Sequence, residues 1–238
     1  KNSGISGNRE ILTAFGADVR GYKGKDTHVD LFVGSELAPR FFGWGIPTGP
    51  NEGRIGVATT LPHKPMPFFR DYFLKGAPSK LLGGAKIINL ISGLIPFGIA
   101  NPSYTDNVIL IGDAAGMAKP TSGGGIYSGL ISADAAFEVA SRALDSGDLS
   151  SNNLSQYQDL ISNRIGGELT KGSYLRKAFL SLNDDQLAEI ISILGETKVK
   201  KAIEKTGDLD YASLAALSVL KTQPKLIKFA PHLLKPFI

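Results

Sequence analysis

The sequence predicts a mixed α+β (α/β) fold, and three observations predict it. Short alternating or apolar runs separated by turn residues fill the first part of the chain. A four-residue apolar run then ends in a glycine-rich turn that leads to a long pattern of helical period, and helical spacing continues from there to the C-terminus. The predicted regions are 1–100, an antiparallel-sheet region; 101–148, a strand, turn and helix unit; and 149–238, a helical region.

In the first region, ILTAFGADV (11–19), HVDLFVG (28–34), FFGWGIP (41–47) and RIGVATTL (54–61) are rich in β-branched and aromatic residues. Turn signals at Tyr22-Lys23-Gly24-Lys25 and Asn51-Glu52-Gly53 separate them, so they read as neighbouring antiparallel strands. His63 to Lys80 carries Phe68, Phe69, Tyr72 and Phe73 at helical spacing and predicts a helix, whereas the apolar run from Ile87 to Gly98 fits either a strand or a helix. Trp44 is the one tryptophan of the chain, and by itself it fits an ordinary core strand.

The second region is the most informative. Val108, Ile109, Leu110 and Ile111 form an unbroken apolar run, expected of a strand covered on both faces, and stop at Gly112-Asp113. Small residues then lead through Pro120 to Gly123, Gly124 and Gly125, where a backbone without Cβ atoms lets a ligand come close. The helix that follows runs through Tyr127, Leu130, Ile131, Phe137 and Ala140 toward Leu144, with Asp134 expected at its rim. Its first N–H groups point back at the same mouth and favour anionic or electron-rich groups. Asp113 stands among these donors as an acceptor for sugar-like hydroxyls. Gly-Asp also closes ordinary turns, and a glycine triplet also serves as a plain connector. The ordered series of strand, GDAAG, Pro120, GGGI and helix is more than a connector needs, and it reads as a cofactor seat.

GDAAG followed by KPTSGGGIYSGL resembles the second FAD-binding motif of flavoproteins with the para-hydroxybenzoate hydroxylase type of fold. Within that group it is most similar to the geranylgeranyl reductases, including the archaeal enzymes that act on membrane lipids. Many flavin hydroxylases have His after GDAA, where Gly116 stands here. The resemblance implies a cofactor site of Gly112, Asp113, Ala114, Pro120, Gly123, Gly124, Gly125 and Ile126, with Asp113 on the ribityl chain and Gly124, Gly125 and Ile126 against the flavin ring.

Geranylgeranyl reductases also have a substrate motif of the form P-x-x-Y-x-W-x-F-P, which Pro39, Phe42, Trp44, Ile46 and Pro47 match in spacing. Phe42 takes the place of the tyrosine and Ile46 that of the phenylalanine, so the wall stays apolar, as a polyprenyl chain requires, and loses its phenol.

The resemblance further implies the C-terminal part of a para-hydroxybenzoate hydroxylase-like fold, its antiparallel sheet forming a substrate domain. The G-x-G-x-x-G of the family's Rossmann unit does not occur in these residues, and Lys1-Asn2-Ser3 fits the tail of a D-G-x-x-S turn. The implied activity is FAD-dependent saturation of C=C bonds in geranylgeranyl chains of archaeal membrane lipid precursors, with electrons from ferredoxin or a nicotinamide. Tyr127, beside the glycine triplet, is the candidate proton donor. Two alternatives stand beside it: another reaction of the same fold (hydroxylase, halogenase or quinone-linked dehydrogenase), and a non-catalytic lipid-binding module.

Composition removes other classes. A net charge of +4 is too mild for nucleic-acid binding, and the absence of cysteine excludes disulfides and thiolate metal sites within these residues. His28, His63 and His232 are isolated, with no metal-ligand spacing. In the third region, 154–180 has heptad-like apolar spacing, Asp184 to Leu194 follows an Asn-Asp-Asp cap cluster, and Thr197 to Lys205 is short and highly charged. The last stretch mixes Lys221, Lys225, Lys228 and Lys235 with Leu226, Phe229, Leu233, Leu234 and Phe237. It reads either as a packed terminal helix or as a contact with anionic lipid. No run reaches the roughly 20 apolar residues that span a bilayer. The expected location is cytoplasmic, with peripheral attachment to the inner membrane face through this basic and apolar segment.

Overall fold

The computed structural model describes residues 4–5 and 10–229. They form two compact units, one of Ile11–Ile95 with Asn183–Leu187, the other of Pro96–Leu182, Ala188–Ile238 and Lys1–Glu10 as far as these are described. The chain passes from the sheet unit to the other between Ile95 and Pro96, and within 101–229 Asn183–Leu187 belong to the sheet unit.

The first unit is built on a five-stranded sheet of β1 (Glu10–Arg20), β2 (Asp30–Phe32), β3 (Gly43–Gly49), β4 (Glu52–Thr60) and β5 (Lys86–Phe97), in the order β2-β3-β4-β1-β5. The pairs β2 with β3, β3 with β4 and β1 with β4 are antiparallel. Alternation fixes which side is core: Phe15, Ala17, Val19, Ile55 and Val57 face a layer that includes Phe69, Phe73 and Leu82. Each fully buried Phe, Ile or Val there contributes about 1.5–3 kcal/mol. Tyr22 fills a socket made by Gly24, Gly45 and Gly53, where any Cβ would strike its ring. Burial first, then the charge and hydrogen bond of Asp30, push its phenol up to about 12.

The helix expected over 63–80 is broken. Its residues form α1 (Pro65–Phe68), a wide π-type turn over Phe69–Phe73 and a tight 3-10 turn over Ala77–Leu81. Pro65, Pro67 and Pro78 donate no backbone hydrogen bond, and Gly76 lies between the last two turns, so a continuous helix has no ladder to follow. The core-facing period survives, with Phe69 and Phe73 stacked at 5.8 Å. The ambiguous run at 87–98 is a strand, and Ile87, Ile88, Leu90, Ile91 and Leu94 along it are exposed.

In the second unit β6 (Tyr104–Thr105) and β7 (Val108–Ile109) form a small antiparallel ladder beside α2 (Ile126–Ser146). The strand expected over 108–111 is shorter, and the described residues cover it on one face. Tyr157 holds one side, donating to Leu110 O at 2.6 Å. The other borders an apolar groove of about 440 Å³ with Ala133, Phe137 and Leu144, and Ile111 is 42% exposed.

After it come α3 (Ser151–Leu154), α4 (Gln156–Ile161), a π-type turn over Ser162–Gly166 and α5 (Gly167–Leu180). Their buried residues Leu154, Tyr157, Ile161, Ile165 and Leu169 pack with Ala135, Val139 and Ala143 of α2. Asp134 is exposed, as expected, and ion-paired to Arg164. On α5 the nearly buried Arg176 bridges Glu10 at 2.6 Å and lies over the Phe97 ring.

Next are α6 (Asp184–Leu194), α7 (Thr197–Thr206) and α8 (Ala212–Thr222), closed around Ile193, Val199, Val219 and Leu226. The expected terminal helix stops at Thr222, because Pro224 opens a 3-10 turn over Pro224–Phe229. The rest of the basic and apolar tail, and Lys1-Asn2-Ser3, lie outside the described residues.

Candidate functional site

The Gly-Asp turn is shaped by two glycines in the left-handed region. Gly112, at φ +51°, donates its N–H to Ser132 Oγ of α2 at 3.0 Å, and Gly116 ends the turn at φ +73°. A side chain at 116 would be strained, which gives a local reason for glycine where many flavin hydroxylases have histidine. Ala114 is exposed on the turn.

The following loop closes on Lys119: its N–H donates to Gly124 O at 2.9 Å, and its carbonyl accepts from Gly123 N–H at 2.8 Å. Gly123 adopts φ +72° to make that closure. Pro120 is buried with its ring 3.4 Å from where a Cβ on Gly172 would lie, so it braces the loop against α5.

These constraints bring the Gly-Asp turn and the glycine triplet into one place. A Cβ built on Gly125 lies 2.5 Å from Asp113 Oδ1. Gly125 is also the N-cap of α2 and has no side chain with which to cap that helix. The first N–H groups of α2 therefore open beside an exposed carboxylate. Ile126 stands at the same mouth, 84% exposed. An exposed isoleucine, a bare glycine backbone, helix N–H donors and one carboxylate fit a ligand with a flat apolar ring and a hydroxylated chain.

Residues from far along the chain complete the loop's surroundings. Lys119 Nζ, on a side chain only 12% exposed, donates to Leu209 O at 2.8 Å and to Asp210 Oδ1 at 2.5 Å. The Tyr127 and Tyr211 hydroxyls meet at 3.0 Å. That bond, then burial, then the neighbouring charges push the Tyr211 phenol above its ordinary range. Burial likewise raises Tyr157. Sequence reasoning missed Lys119, Asp210 and Tyr211, because no spacing joins positions some 90 residues apart.

The substrate motif lies in the sheet unit. Gly43 and Gly45 face the core, where Phe73 and Leu37 press on the first and Tyr22 on the second. Alternation therefore turns Phe42, Trp44 and Ile46 to the opposite face. The indole lies across Gly56, its register partner on β4, where a Cβ would strike it. Phe42 meets Trp44 edge-on at 6.3 Å and stacks on Phe41 at 4.2 Å. Pro39 is buried before the strand, and Pro47 sits at a register shift that ends the regular ladder. The described residues include no group of three or more histidines or acidic residues placed to hold a metal ion.

No family model matches the chain. It is 33% identical over 217 residues to the uncharacterized protein MJ1520 of Methanocaldococcus jannaschii, a match covering 90% of this chain and 54% of that protein. It is 27% identical over 196 residues to digeranylgeranylglycerophospholipid reductase 2 of Methanococcoides burtonii, covering 80% and 44%. Among solved structures, a geranylgeranyl bacteriochlorophyll reductase-like protein of Thermoplasma acidophilum superposes with a TM-score of 0.78 at 22% identity, over 99% of this chain and 56% of that one. The flavin-dependent brominase Bmp2 gives 0.61 at 14% identity, over 95% and 60%. The fold is the one that flavin-dependent reductases and halogenases share. Within it, the similarities to digeranylgeranylglycerophospholipid reductases and to the geranylgeranyl reductase-like structure support the geranylgeranyl reductase family. The chain spans about half the length of the curated relatives it matches.

Proposed function

We propose that this chain carries part of the cofactor and substrate sites of an FAD-dependent reductase that saturates C=C bonds in the geranylgeranyl chains of archaeal membrane lipid precursors. The observation that carries the cofactor half is the place of the Asp113 carboxylate, in the space a Cβ on Gly125 would need, at the glycine-capped N-terminus of α2. Asp113 accepts the hydroxyls of the ribityl chain, and the α2 N–H groups meet the electron-rich edge of the flavin. Gly124, Gly125 and Ile126 form the floor beneath the ring. FAD, when bound, supplies the hydride that alkene reduction requires. Tyr127 is the candidate proton donor, its hydroxyl held by Tyr211.

The substrate half rests on the exchange of tyrosine and phenylalanine for Phe42 and Ile46, which keeps the wall apolar along its length. An isoprenoid buried against it gains about 25 cal/mol per Å² of apolar surface removed from water. No helix of the described residues is long and apolar enough to cross a membrane, and a lipid-bound substrate would be met by peripheral contact. The electron donor is a ferredoxin or a nicotinamide.

The test is a single turnover. The complete protein, reduced chemically under anaerobic conditions, is mixed with digeranylgeranylglycerophospholipid and the lipid is followed by mass spectrometry. Gain of one H2 for each saturated bond supports the reading. Unchanged lipid together with oxygen-dependent turnover of an aromatic substrate would assign a hydroxylase or halogenase instead, and lipid binding without flavin would assign a binding module.

A further inference from the structure

The loop that carries the glycine triplet is gripped from both flanks by one short segment far along the chain. Ahead of the triplet, Lys119 is bound by Leu209 O and Asp210. Behind it, Tyr127 is bound by Tyr211. The segment is itself stiff: Asp208 Oδ1 accepts from the backbone N–H of Asp210 at 2.7 Å and of Tyr211 at 3.2 Å. It is also anchored, because the N–H of the buried Ser213 donates to Glu168 of α5 at 2.9 Å, and its hydroxyl donates to the same carboxylate. A segment fixed at its own base and bonded on either side of a glycine turn restrains that turn.

Its charge bears on the site as well. Lys119 Nζ lies 3.4 Å from where a Cβ on Gly124 would be, so a cation stands at the edge of the glycine shelf. Asp210 is the carboxylate paired with it. A cation left unpaired beside a flavin ring favours the electron-rich reduced form over the oxidised one, by simple Coulomb attraction at short range and reduced dielectric.

We propose that Asp208–Tyr211 is a positioning element of the cofactor site: it clasps the glycine turn through Lys119 and Tyr127, and Asp210 offsets the Lys119 charge and so holds down the reduction potential of bound FAD. The clasp rests on the reading that FAD lies on this shelf. Asp210 acts through Lys119, and Tyr211 acts through the Tyr127 hydroxyl it holds.

The test compares the complete protein with its Asp210→Asn, Asp210→Glu and Tyr211→Phe variants by two measurements. Amide hydrogen exchange of the FAD-free protein reports the clasp, and dye-equilibrated titration of the loaded protein reports the potential. Asp210→Asn is expected to exchange about tenfold faster over Gly123–Tyr127 and to favour reduced FAD about tenfold more, a rise of about 30 mV for a two-electron couple. Asp210→Glu returns the potential toward wild type, because it restores the charge. Tyr211→Phe speeds exchange at Tyr127 without that rise. A wild type that holds FAD and an Asp210→Asn variant that matches it in both exchange and potential overturn the clasp and leave the FAD reading standing. A wild type that takes up no FAD overturns that reading and this inference with it.

Discussion

Asp113 and Gly125 share one space: an oxygen of the Asp113 carboxylate lies 2.5 Å from the position that a Cβ on residue 125 would occupy. The two are joined by a loop that closes on Lys119, so the turn after the strand and the cap of α2 are one structural object.

Gly125→Ala tests that relationship. Residue 125 has φ −119°, which alanine adopts freely, and the obstructing atom is the end of an exposed side chain that can swing aside. Folding stability is expected to fall by less than about 1 kcal/mol, the usual difference between glycine and alanine at an N-cap. FAD affinity falls about tenfold, because the displaced carboxylate loses a charge-assisted hydrogen bond. Urea unfolding and a flavin-fluorescence titration measure the two effects separately.

Gly56→Ala addresses the apolar wall. A methyl group there strikes the Trp44 indole and lies 3.1 Å from Phe15 O, so the ring has to leave its seat. The expected cost is about 1–3 kcal/mol, as for overpacking elsewhere. Trp44 is the one tryptophan in the sequence, so its emission reports the displacement directly, as a shift to the red. In the wild type, a geranylgeranyl lipid added to the protein is expected to change the same emission.

Tyr22 gives a pH dependence with a definite sign. Its folded pKa of about 12 lies above the ordinary 10.0, so the folded state favours the neutral phenol. The stability this contributes is complete below pH 10 and is lost as pH rises through about 12. Tyr22→Phe is expected to flatten that alkaline slope in chemical unfolding, while costing about 1 kcal/mol at neutral pH through the lost bond to Asp30.

Local rules were legible in the sequence, and long-range bonds were not. The alternation Gly43, Trp44, Gly45, Ile46 announced a strand with a small face and a bulky face, and the core places its own rings on the small one. Gly112 was legible as a turn and Gly123 as backbone open to close approach, whereas the positive φ of Gly112, Gly116 and Gly123 came only with the structure. The period of Phe68, Phe69 and Phe73 was real, but prolines on both sides made it a series of turns rather than a helix. The four apolar residues from Val108 suggested cover on both faces, yet composition alone could not show that Ile111 is left open. Lys119 and Asp210 had no signal at all, because an ion pair across 91 positions follows from the fold and not from spacing.

The most direct measurement is FAD retention by the complete protein and by its Asp113→Ala variant. Asp113 is exposed, so the substitution is expected to change stability by no more than about 0.5 kcal/mol. The wild type is predicted to bind FAD stoichiometrically, with the visible absorbance of bound oxidised flavin, and the variant to bind it about 10- to 100-fold more weakly. A folded wild type that binds no flavin, or an Asp113→Ala variant that binds it equally well, would contradict the cofactor seat proposed for Asp113 and the glycine triplet.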